Sequence, residues 1–303
     1  MLTLLKPPSL KSGDRVGVLS PASPCPTHEL EAGCAILEKL GLEVVSDAGR
    51  EPFQPAYLAG NDEYRAVRFN EFVQNPEIKG LLCARGGYGS LRILPKISYD
   101  QLQVSPKVLV GFSDITALLL ACYGKIGLVC FHGPTVSSLA TSDQETLESF
   151  WNALSSNEPM QLHFPEAVCL RPGRCTGAVL GGNFTTLSHL LGTSFLPSLT
   201  GAILFLEDRG ERLYRIDRML TQLIHTRLLS EIEGLILGDF SENGPRHELN
   251  DLVRERLAFT TFPILSGVPV GHEKRNLTLP IGLPATLDAG AGSLTFHQAA
   301  TAP

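Results

Sequence analysis

The stretch that decides the fold is KVLVGFSDITALLLAC, residues 107–122. Residues 108–110 form an apolar, β-branched run that predicts a buried strand, and the Ala- and Leu-rich run from Ile115 predicts a helix. Between the two runs lie Gly111, Phe112, Ser113 and Asp114. A strand that turns sharply into a helix exposes the residue at the bend and points the first free helix amides at whatever that residue attacks. The stretch therefore predicts a strand–turn–helix unit with Ser113 at its exposed bend.

Two interpretations of Ser113 fit this stretch. As a nucleophile, its hydroxyl would stand exposed beside the Asp114 amide, as in a nucleophile elbow. The usual elbow pattern is Gly-x-Ser-x-Gly, and here Ile115 stands where the second glycine would be. A tight strand-to-helix loop in which the serine caps the helix explains the same residues. Taken alone, the stretch favours the capping serine.

Composition restricts the kind of protein that this chain can be. The chain has 303 residues, which suggests about two domains. Its 43% hydrophobic and 18% charged content favours a sizeable core over disorder. The net charge of −6, without a basic cluster, argues against a nucleic-acid or anionic-membrane partner. No apolar run is long enough to span a bilayer, and the apolar patch before Lys6 is too short for a signal-peptide core.

Cysteine and histidine usage predicts neither a disulfide framework nor a metal site. The seven cysteines are odd in number, include no CxxC pair and mostly lie in apolar runs, so we expect buried free thiols in a reducing cytoplasm. No pair among the eight histidines has metal-ligand spacing. His272 and Glu273 do not begin a zinc helix, because the position that would need histidine is Asn276. We expect no metal and no cofactor.

The first half of the chain alternates between strands and helices. Strands are predicted at 15–20, 43–46, 80–84, 108–110 and 127–131, helices at 28–40 and 62–73, and a polar loop at Gly49, Pro52, Pro55 and Gly60. Short connections of this kind imply a parallel, doubly wound sheet whose binding loops lie at the carboxyl ends of its strands. RGGYG, residues 85–89, follows such an end. Its paired glycines predict either a tight turn or a set of exposed amide donors.

The second half of the chain differs from the first in its composition and in its predicted elements. Residues 155–174 are polar and Pro-rich and predict a linker between an N-terminal domain, 1–154, and a C-terminal domain, 175–303. Short strands are predicted at 178–180, 202–206, 234–237 and 264–270, and one amphipathic helix at about 214–229. We expect the last strands to form an antiparallel set at 277–279, 285–287 and 293–296.

A serine nucleophile needs a base, and the base needs an acid that orients it. Glu207 ends the apolar run 202–206, and His272 follows the apolar run 268–270. The imidazole suits proton transfer near neutral pH. Taken alone, Glu207 is better interpreted as a capping or ion-paired acid, and a histidine bonded to a turn is an equally good interpretation of His272.

Three other residues compete for these roles. His132 also follows a strand, lies in the same half as Ser113 and is a rival base. Asp208 is a rival orienting acid. Cys83 is a rival nucleophile, although it lacks flanking glycines and is expected to pack in the sheet.

Seven blocks of sequence together resemble one family. They are RGGYG (85–89), VGFSD (110–114), FHGP (131–134), GGN (181–183), LFLED (204–208), YRIDRMLTQL (214–223) and VPVGHEKRN (268–276). Their order and spacing are similar to those of the LD-carboxypeptidase family of serine peptidases, which includes murein tetrapeptide carboxypeptidases and microcin C immunity proteins. The resemblance covers nearly the whole chain. It favours functional roles for Ser113, Glu207 and His272 over the structural alternatives.

The resemblance implies a Ser-His-Glu triad formed by Ser113, His272 and Glu207, with oxyanion amides from Asp114 and Gly87. It implies a flavodoxin-like, parallel-sheet N-terminal domain and a smaller, β-rich α/β C-terminal domain. The triad would then assemble across the two domains. Homodimers are usual in the family.

The reaction that the resemblance implies is hydrolysis of the amide between an L-centre and a terminal D-amino acid. In murein tetrapeptide the third residue is meso-diaminopimelate or L-lysine, the released amino acid is D-alanine, and the tripeptide enters cell-wall recycling. Arg85 is a candidate partner for the terminal carboxylate by its position. The alternatives are hydrolysis of acyl-sulfamoyl adenylates, as in microcin immunity, and a non-catalytic α/β protein that binds a ligand at the 85–89 loop.

Overall fold

Two β-sheets form the framework of the chain. The computed structural model describes residues 3–47, 55–242 and 244–303, and within these ranges the strands form one six-stranded and one eight-stranded sheet. Helices accompany both sheets, so the predicted α/β class is confirmed. Two residues of the predicted polar loop, Gly49 and Pro52, lie outside the described residues.

The first sheet has a flavodoxin-like strand order. Its strands are β1 (Arg15–Leu19), β2 (Glu43–Ser46), β3 (Ile78–Cys83), β4 (Val108–Gly111), β5 (Cys130–His132) and β12 (Leu279–Ile281). In space they follow the order β12-β5-β4-β3-β1-β2, and β1 to β5 run parallel. This is the 2-1-3-4-5 order of flavodoxin-like folds with one strand added. The predicted parallel sheet is confirmed.

The added strand comes from the far end of the chain. β12 pairs antiparallel with β5, with Leu279 opposite His132 and Ile281 opposite Cys130. The prediction that residues 277–279 join the last two strands in one antiparallel set is therefore wrong. A short apolar run does not reveal which sheet it joins, because every sheet edge offers it the same unpaired backbone groups.

The second sheet is mixed. Its strands are β6 (Gln161–His163), β7 (Val168–Arg171), β8 (Arg174–Asn183), β9 (Ala202–Arg209), β10 (Gly234–Ser241), β11 (Ile264–Ser266), β13 (Pro284–Asp288) and β14 (Ser293–Phe296). In space they follow the order β6-β14-β13-β8-β9-β10-β11-β7, and the four consecutive strands β8 to β11 run parallel. The carboxyl ends of β8, β9 and β10 therefore meet at one edge, where binding residues of parallel sheets are found.

Residues 155–174 contain regular structure. β6 and β7 lie within this range and pair antiparallel with β14 and β11 of the second sheet. Strands of three or four residues that are mostly not buried give little hydrophobic signal, which is why the sequence suggested only a linker. The domain boundaries 1–154 and 175–303 stay a prediction.

The helices pack on both sheets. They are α1 (Thr27–Lys39), α2 (Asp62–Gln74), α3 (Ser90–Ile93), α4 (Tyr99–Val104), α5 (Thr116–Ile126), α6 (Val136–Leu139), α7 (Gln144–Ser155), α8 (Phe184–Leu190), α9 (Leu213–His225) and α10 (Arg246–Arg256). The predicted helix 214–229 ends at His225, because Arg227 adopts a left-handed φ of +61° and a 3₁₀ turn follows at Leu228–Ser230.

Helix α5 joins the two sheets. It follows β4 and packs against β5 of the first sheet and against β8 and α8 of the second half. Eight of its eleven residues are buried, as expected of a helix that is apolar on all sides. None of the helices in the described ranges combines the length and apolar character needed to cross a bilayer. The turn before α5, which contains Ser113, therefore lies where the two halves of the chain meet.

Leu119→Ala is expected to lower the free energy of unfolding by about 2–5 kcal/mol, because the fully buried side chain leaves a cavity in the core around α5. Urea unfolding followed by circular dichroism measures the change. Val104→Ala, at a side chain that is 83% exposed at the end of α4, is the control and should change stability by less than about 0.5 kcal/mol. Equal effects of the two substitutions would contradict the buried position of α5.

Candidate active site

Ser113 lies at the predicted bend between β4 and α5. β4 ends at Gly111, a 3₁₀ turn covers Ser113–Ile115, and α5 begins at Thr116. The φ angle of Ser113 is +62°, in the left-handed region that few residues other than glycine adopt. Strained backbone of this kind concentrates at functional sites, and a sharp strand-to-helix turn is the geometry of a nucleophile elbow.

Two glycines make room for this turn. A Cβ on Gly86 would lie 2.9 Å from Ser113 Cβ and 3.2 Å from Ser113 Oγ, so the loop 85–89 approaches the serine through a residue without a side chain. A Cβ on Gly111 would lie 2.7 Å from Ile115 Cγ2. Ile115 can therefore replace the second glycine of the elbow pattern, because Gly111 leaves space for its side chain.

The Ser113 side chain does not cap a helix. Neither the 3₁₀ turn nor α5 begins with a side-chain capping hydrogen bond. Ser113 is half-buried, and its hydroxyl has no hydrogen-bond partner among the described residues. The capping interpretation that the stretch alone favoured is wrong.

Asp114 ties the serine turn to the loop 85–89. Its carboxylate accepts a hydrogen bond from the Ser90 amide at 2.8 Å, and the Ser90 hydroxyl donates to the Asp114 carbonyl at 2.5 Å. Both residues are buried. Two hydrogen bonds therefore fix the end of the loop against the residue that follows Ser113.

Ser23 holds the other side of the loop. Its amide donates to the Gly86 carbonyl at 3.2 Å, and its Oγ accepts from the Tyr88 amide at 3.1 Å. Gly87 has a φ of +96°, and a Cβ there would lie 2.3 Å from Ser23 Oγ. Across the described ranges the Gly87 amide donates no hydrogen bond within the protein. Its N–H is therefore available to a ligand.

The buried carboxylate of Glu207 holds His272. Glu207 Oε2 lies 2.7 Å from His272 Nδ1. Glu207 is fully buried at the carboxyl end of β9, whereas the His272 side chain keeps 12% of its surface exposed. Gly271 turns the chain at a φ of +144°, and a Cβ there would lie 3.1 Å from Glu207 Oε2. The structure brings these two sequence-predicted residues into direct contact.

Burial and hydrogen bonding set the proton affinity of this pair. Burial disfavours the imidazolium, but the hydrogen bond and the charge of Glu207 outweigh burial, so the pKa of His272 is raised above its ordinary value. Burial raises the pKa of the Glu207 carboxyl, and His272 opposes that rise. Because Nδ1 is engaged by the carboxylate, Nε2 is the ring nitrogen left to exchange a proton with a reacting group.

Phe112 connects the serine turn with the imidazole. Its ring meets the His272 ring edge-on, with the centroids 4.8 Å apart. Within the described residues no hydrogen bond joins the Ser113 hydroxyl to His272. Catalytic hydrogen bonds are often long in an unliganded site and tighten when the substrate binds. The structure thus places Ser113 directly beside the residue that contacts the imidazole.

Asp208 has a structural role and is not the orienting acid. Adjacent residues of a strand face opposite sides, so Asp208 points away from the side on which Glu207 meets His272. Its carboxylate accepts hydrogen bonds from the Thr185 amide at 2.9 Å and the Thr185 hydroxyl at 2.8 Å, in the first turn of α8. The helix-capping role considered for Glu207 belongs to its neighbour.

His132 and Cys83 are buried in the first sheet. His132 is fully buried, and within the described ranges neither ring nitrogen has a hydrogen-bond partner. Burial, with a smaller effect of His272, lowers the pKa of His132 to about 3, and its ring lies edge-on to Phe112 and Phe205. Cys83 is fully buried in β3, and burial raises the pKa of its thiol. Neither residue has the exposure that a base or a nucleophile needs.

Two residues beside the site were not found from the sequence. Buried Arg65 donates to the Gly89 carbonyl at 2.8 Å and so supports the loop 85–89. The amphipathic pattern of α2 gives no sign that an arginine is among its buried residues. Asp239 lies in β10 as Glu207 lies in β9, after an apolar run, and the rule that singled out Glu207 would have found it.

Arg85, the predicted partner for a terminal carboxylate, lies exposed on the 85–89 loop. Its Nη1 is 3.4 Å from the Pro24 carbonyl. In the described part of the chain no group of three or more His, Cys, Asp or Glu is placed to hold a metal ion.

Known proteins match this chain over nearly its full length. Residues 16–133 match the family model of the LD-carboxypeptidase N-terminal domain, and residues 176–287 match that of the LD-carboxypeptidase C-terminal domain. The murein tetrapeptide carboxypeptidase of Pseudomonas aeruginosa is 34% identical, over 90% of this chain and 93% of the relative.

Two solved structures share the fold. The crystal structure of muramoyltetrapeptide carboxypeptidase from Oxalobacter formigenes has a TM-score of 0.82 and 31% identity, over 93% of this chain and 97% of the other. A structure of MccF in complex with glutamyl sulfamoyl guanosine has a TM-score of 0.92 and 26% identity, over 98% and 100%. The fold and these relatives define a peptidase, and hence a hydrolase. The chain belongs to the LD-carboxypeptidase family, and its relatives support carboxypeptidase activity.

Glu207→Gln is expected to lower the pKa of His272, because the amide removes the negative charge while burial still disfavours the imidazolium. NMR titration of the His272 ring measures the midpoint. Glu273→Gln, one residue along from the imidazole, is the control and should shift the midpoint much less. In the unmodified protein the stabilisation that comes from the raised pKa of His272 is full below pH about 6.5 and is lost as pH rises through the raised pKa. A midpoint that stays raised in Glu207→Gln would show that another group holds the imidazolium.

His132→Leu is expected to make the protein less sensitive to acid. A histidine with a lowered pKa takes up protons in the unfolded chain first, so the native protein loses stability as pH falls below about 6.5. Between pH 6.5 and 5 this residue alone should account for about 2 kcal/mol, which the variant no longer loses. Urea unfolding at several pH values measures the difference. Exposed His247→Leu is the control, and parallel pH profiles for all three proteins would contradict the buried, neutral state of His132.

Proposed function

We propose that this protein is a serine-type LD-carboxypeptidase that hydrolyses the terminal D-alanine from murein tetrapeptide. The observation that carries the proposal is the hydrogen bond of 2.7 Å between a fully buried carboxylate and His272, beside a serine in a left-handed turn. A nucleophile, a base and a group that orients the base are the parts of a serine-hydrolase site. The resemblance to the family assigns the same three residues.

In this mechanism Ser113 Oγ attacks the scissile carbonyl while His272 Nε2 accepts its proton. Glu207 keeps the Nδ1–H tautomer and stabilises the imidazolium that forms. His272 then gives the proton to the leaving nitrogen of D-alanine. Water, deprotonated by the same imidazole, attacks the acyl-enzyme and releases the tripeptide and Ser113.

The oxyanion of the tetrahedral intermediate would accept hydrogen bonds from the Asp114 and Gly87 amides. Asp114 follows the nucleophile at the start of the helical turn, and the Gly87 amide donates to no group in the described residues. The loop approaches Ser113 at Gly86, where a Cβ would lie 2.9 Å from Ser113 Cβ, so the Gly87 amide belongs to a segment that lies next to the nucleophile. Loss of one such donor typically lowers the rate by about 10²–10³.

The substrate assignment is supported by the relatives. A protein named murein tetrapeptide carboxypeptidase is 34% identical over most of this chain. Arg85, exposed on the same loop as Gly87, is proposed to meet the terminal carboxylate of the peptide. The homodimer and the cytoplasmic location implied by the resemblance stay predictions. Hydrolysis of acyl-sulfamoyl adenylates is the second candidate, because a structure of MccF with a sulfamoyl nucleoside matches nearly the whole chain.

Ser113→Ala is expected to reduce hydrolysis of murein tetrapeptide by about 10⁴-fold or more with unchanged folding, since the whole covalent route depends on that hydroxyl. Mass spectrometry of the peptide after incubation measures the loss of D-alanine. Ser198→Ala, at an exposed loop serine, is the matched control.

Three results would overturn the proposal. Near-normal turnover by Ser113→Ala would remove the nucleophile assignment. Turnover of an acyl-sulfamoyl adenylate but not of the tetrapeptide would favour the second candidate. Failure of a fluorophosphonate probe to label Ser113 in a protein that cleaves neither substrate would favour a non-catalytic binding protein.

A further inference from the structure

A cavity of about 140 Å³ opens beside the Glu207–His272 pair, at the carboxyl end of β10. Its polar wall contains Asp239, Ser241, Arg246 and Glu273, and its apolar wall includes Ile216 and Leu249. The cavity has room for a small charged group with its first water molecules. None of these residues has a role in the mechanism above.

Asp239 is a buried carboxylate that accepts no hydrogen bond from the described residues. The residue is 7% exposed, and its Oδ2 has no hydrogen-bond partner within the described ranges. Its Oδ1 lies 3.9 Å from Arg246 Nη2, which is beyond hydrogen-bond distance. Burial raises the pKa of Asp239 to about 7, and Arg246 opposes this rise. A buried carboxylate in this state gains free energy from a ligand that donates to it.

Arg246 faces the same space from the first turn of α10. Its guanidinium packs over Gly267, where a Cβ would lie 2.7 Å from Nη1. Among the described residues it donates no hydrogen bond, although its side chain is 53% exposed. The cavity therefore presents a carboxylate and a guanidinium, 3.9 Å apart, that each lack a hydrogen-bond partner.

The cavity and the candidate active site share one wall. A Cβ on Gly271 would lie 3.1 Å from Glu207 Oε2 on one side and 3.2 Å from Asp239 Cβ on the other. The Asp239 amide also donates to the Val270 carbonyl at 2.9 Å, just before the turn that carries His272. A molecule that reacts at His272 is thus close enough to place a second charged group in this cavity.

We propose, resting on the proposed function, that this space, named the Asp239 cavity, binds a zwitterionic amino-acid group, with its ammonium on Asp239 and its carboxylate on Arg246. An ammonium satisfies Oδ2, and a carboxylate matches the planar donors of the guanidinium. An α-amino acid carries both charges on one carbon, and so spans two opposite charges 3.9 Å apart. The zwitterion has two sources, the side-chain end of the substrate residue before the scissile bond and the released amino acid.

Three tetrapeptides that differ only at the third residue test the first source. Meso-diaminopimelate ends in a zwitterion, L-lysine ends in an ammonium alone, and L-norleucine ends without charge. Free D-alanine, added as a competitor, tests the second source. The measurement is the ratio of kcat/KM between peptides, because a ratio cancels any general damage to the neighbouring Glu207–His272 pair.

The variants remove one charge at a time. Arg246→Gln should reduce the preference for the diaminopimelate peptide over the lysine peptide by at least about tenfold. Asp239→Asn should reduce, by a similar factor, the preference for the diaminopimelate and lysine peptides over the norleucine peptide. Asp251→Asn and Arg254→Gln are matched controls, because these residues form an exposed ion pair of 3.1 Å on the same helix, α10. They should leave every ratio unchanged.

The outcomes separate this inference from the proposed function. If the peptide ratios hold but inhibition by D-alanine weakens in Asp239→Asn and Arg246→Gln, the cavity binds the released amino acid. If neither the ratios nor the inhibition changes while peptides are cleaved, the inference is overturned and the proposed function stands.

If the unmodified protein cleaves no tetrapeptide, the proposed function fails and calorimetry decides about the cavity. Binding of the diaminopimelate peptide or D-alanine that is lost in both variants would support the Asp239 cavity. Absence of binding to the unmodified protein would overturn it.

Discussion

A carboxylate with no access to water must find a partner inside the protein, and Glu207 finds one in His272 at 2.7 Å. The surrounding backbone is shaped by this requirement. Gly238 and Gly271 leave the space that the carboxylate and its stem occupy, since a Cβ on either would lie about 3.1 Å from a Glu207 atom. Removal of the imidazole would take from this buried carboxylate its hydrogen bond of 2.7 Å and leave a charge without access to solvent. Glu207 can therefore be buried in β9 only because a later segment of the chain places His272 beside it.

Contacts with the first half of the protein fix the segment that carries His272. The Gly271 amide donates to Asn276 Oδ1 at 3.0 Å, and the Asn276 amide donates to the hydroxyl of Thr146, in α7, at 3.0 Å. The turn with His272 is thereby attached to a helix that precedes the second sheet in sequence. Phe112, next to Ser113 in sequence, contacts the imidazole as well. Besides the direct bond between Glu207 and His272, contacts of Phe112 and Asn276 therefore hold the proposed triad together.

The parts of the fold that the sequence predicted are those in which local pattern and burial agree. The run 107–122 is apolar along its whole strand and helix, so its turn was predicted at the right residue, and the same rule placed Glu207 near the end of a buried strand. The strand predicted at 264–270 ends at Ser266, so His272 lies in an irregular segment and not at a strand end. What remained open depends on contacts between distant segments. The sequence could not reveal that Glu207 rather than Asp208 faces the imidazole. Alternation along a strand places the two side chains on opposite faces of the sheet, but which face each one takes is decided only when the sheet is packed. Likewise, the short strands at 161–163 and 168–171 have no buried residue to mark them, and the buried strand at 279–281 is too short to show which sheet it joins.

Strand β12 makes the architecture interlocked rather than modular. It follows most of the second sheet in sequence, yet it completes the first sheet by pairing with β5. A polypeptide cut near residue 174 would give one fragment with β5 as a bare edge and another with an orphaned strand, and bare edges invite pairing with foreign chains. Exchange of either half between relatives by recombination would have to preserve this ladder. The first sheet is thus complete only when both parts of the chain are present, although the two sheets look like separable parts.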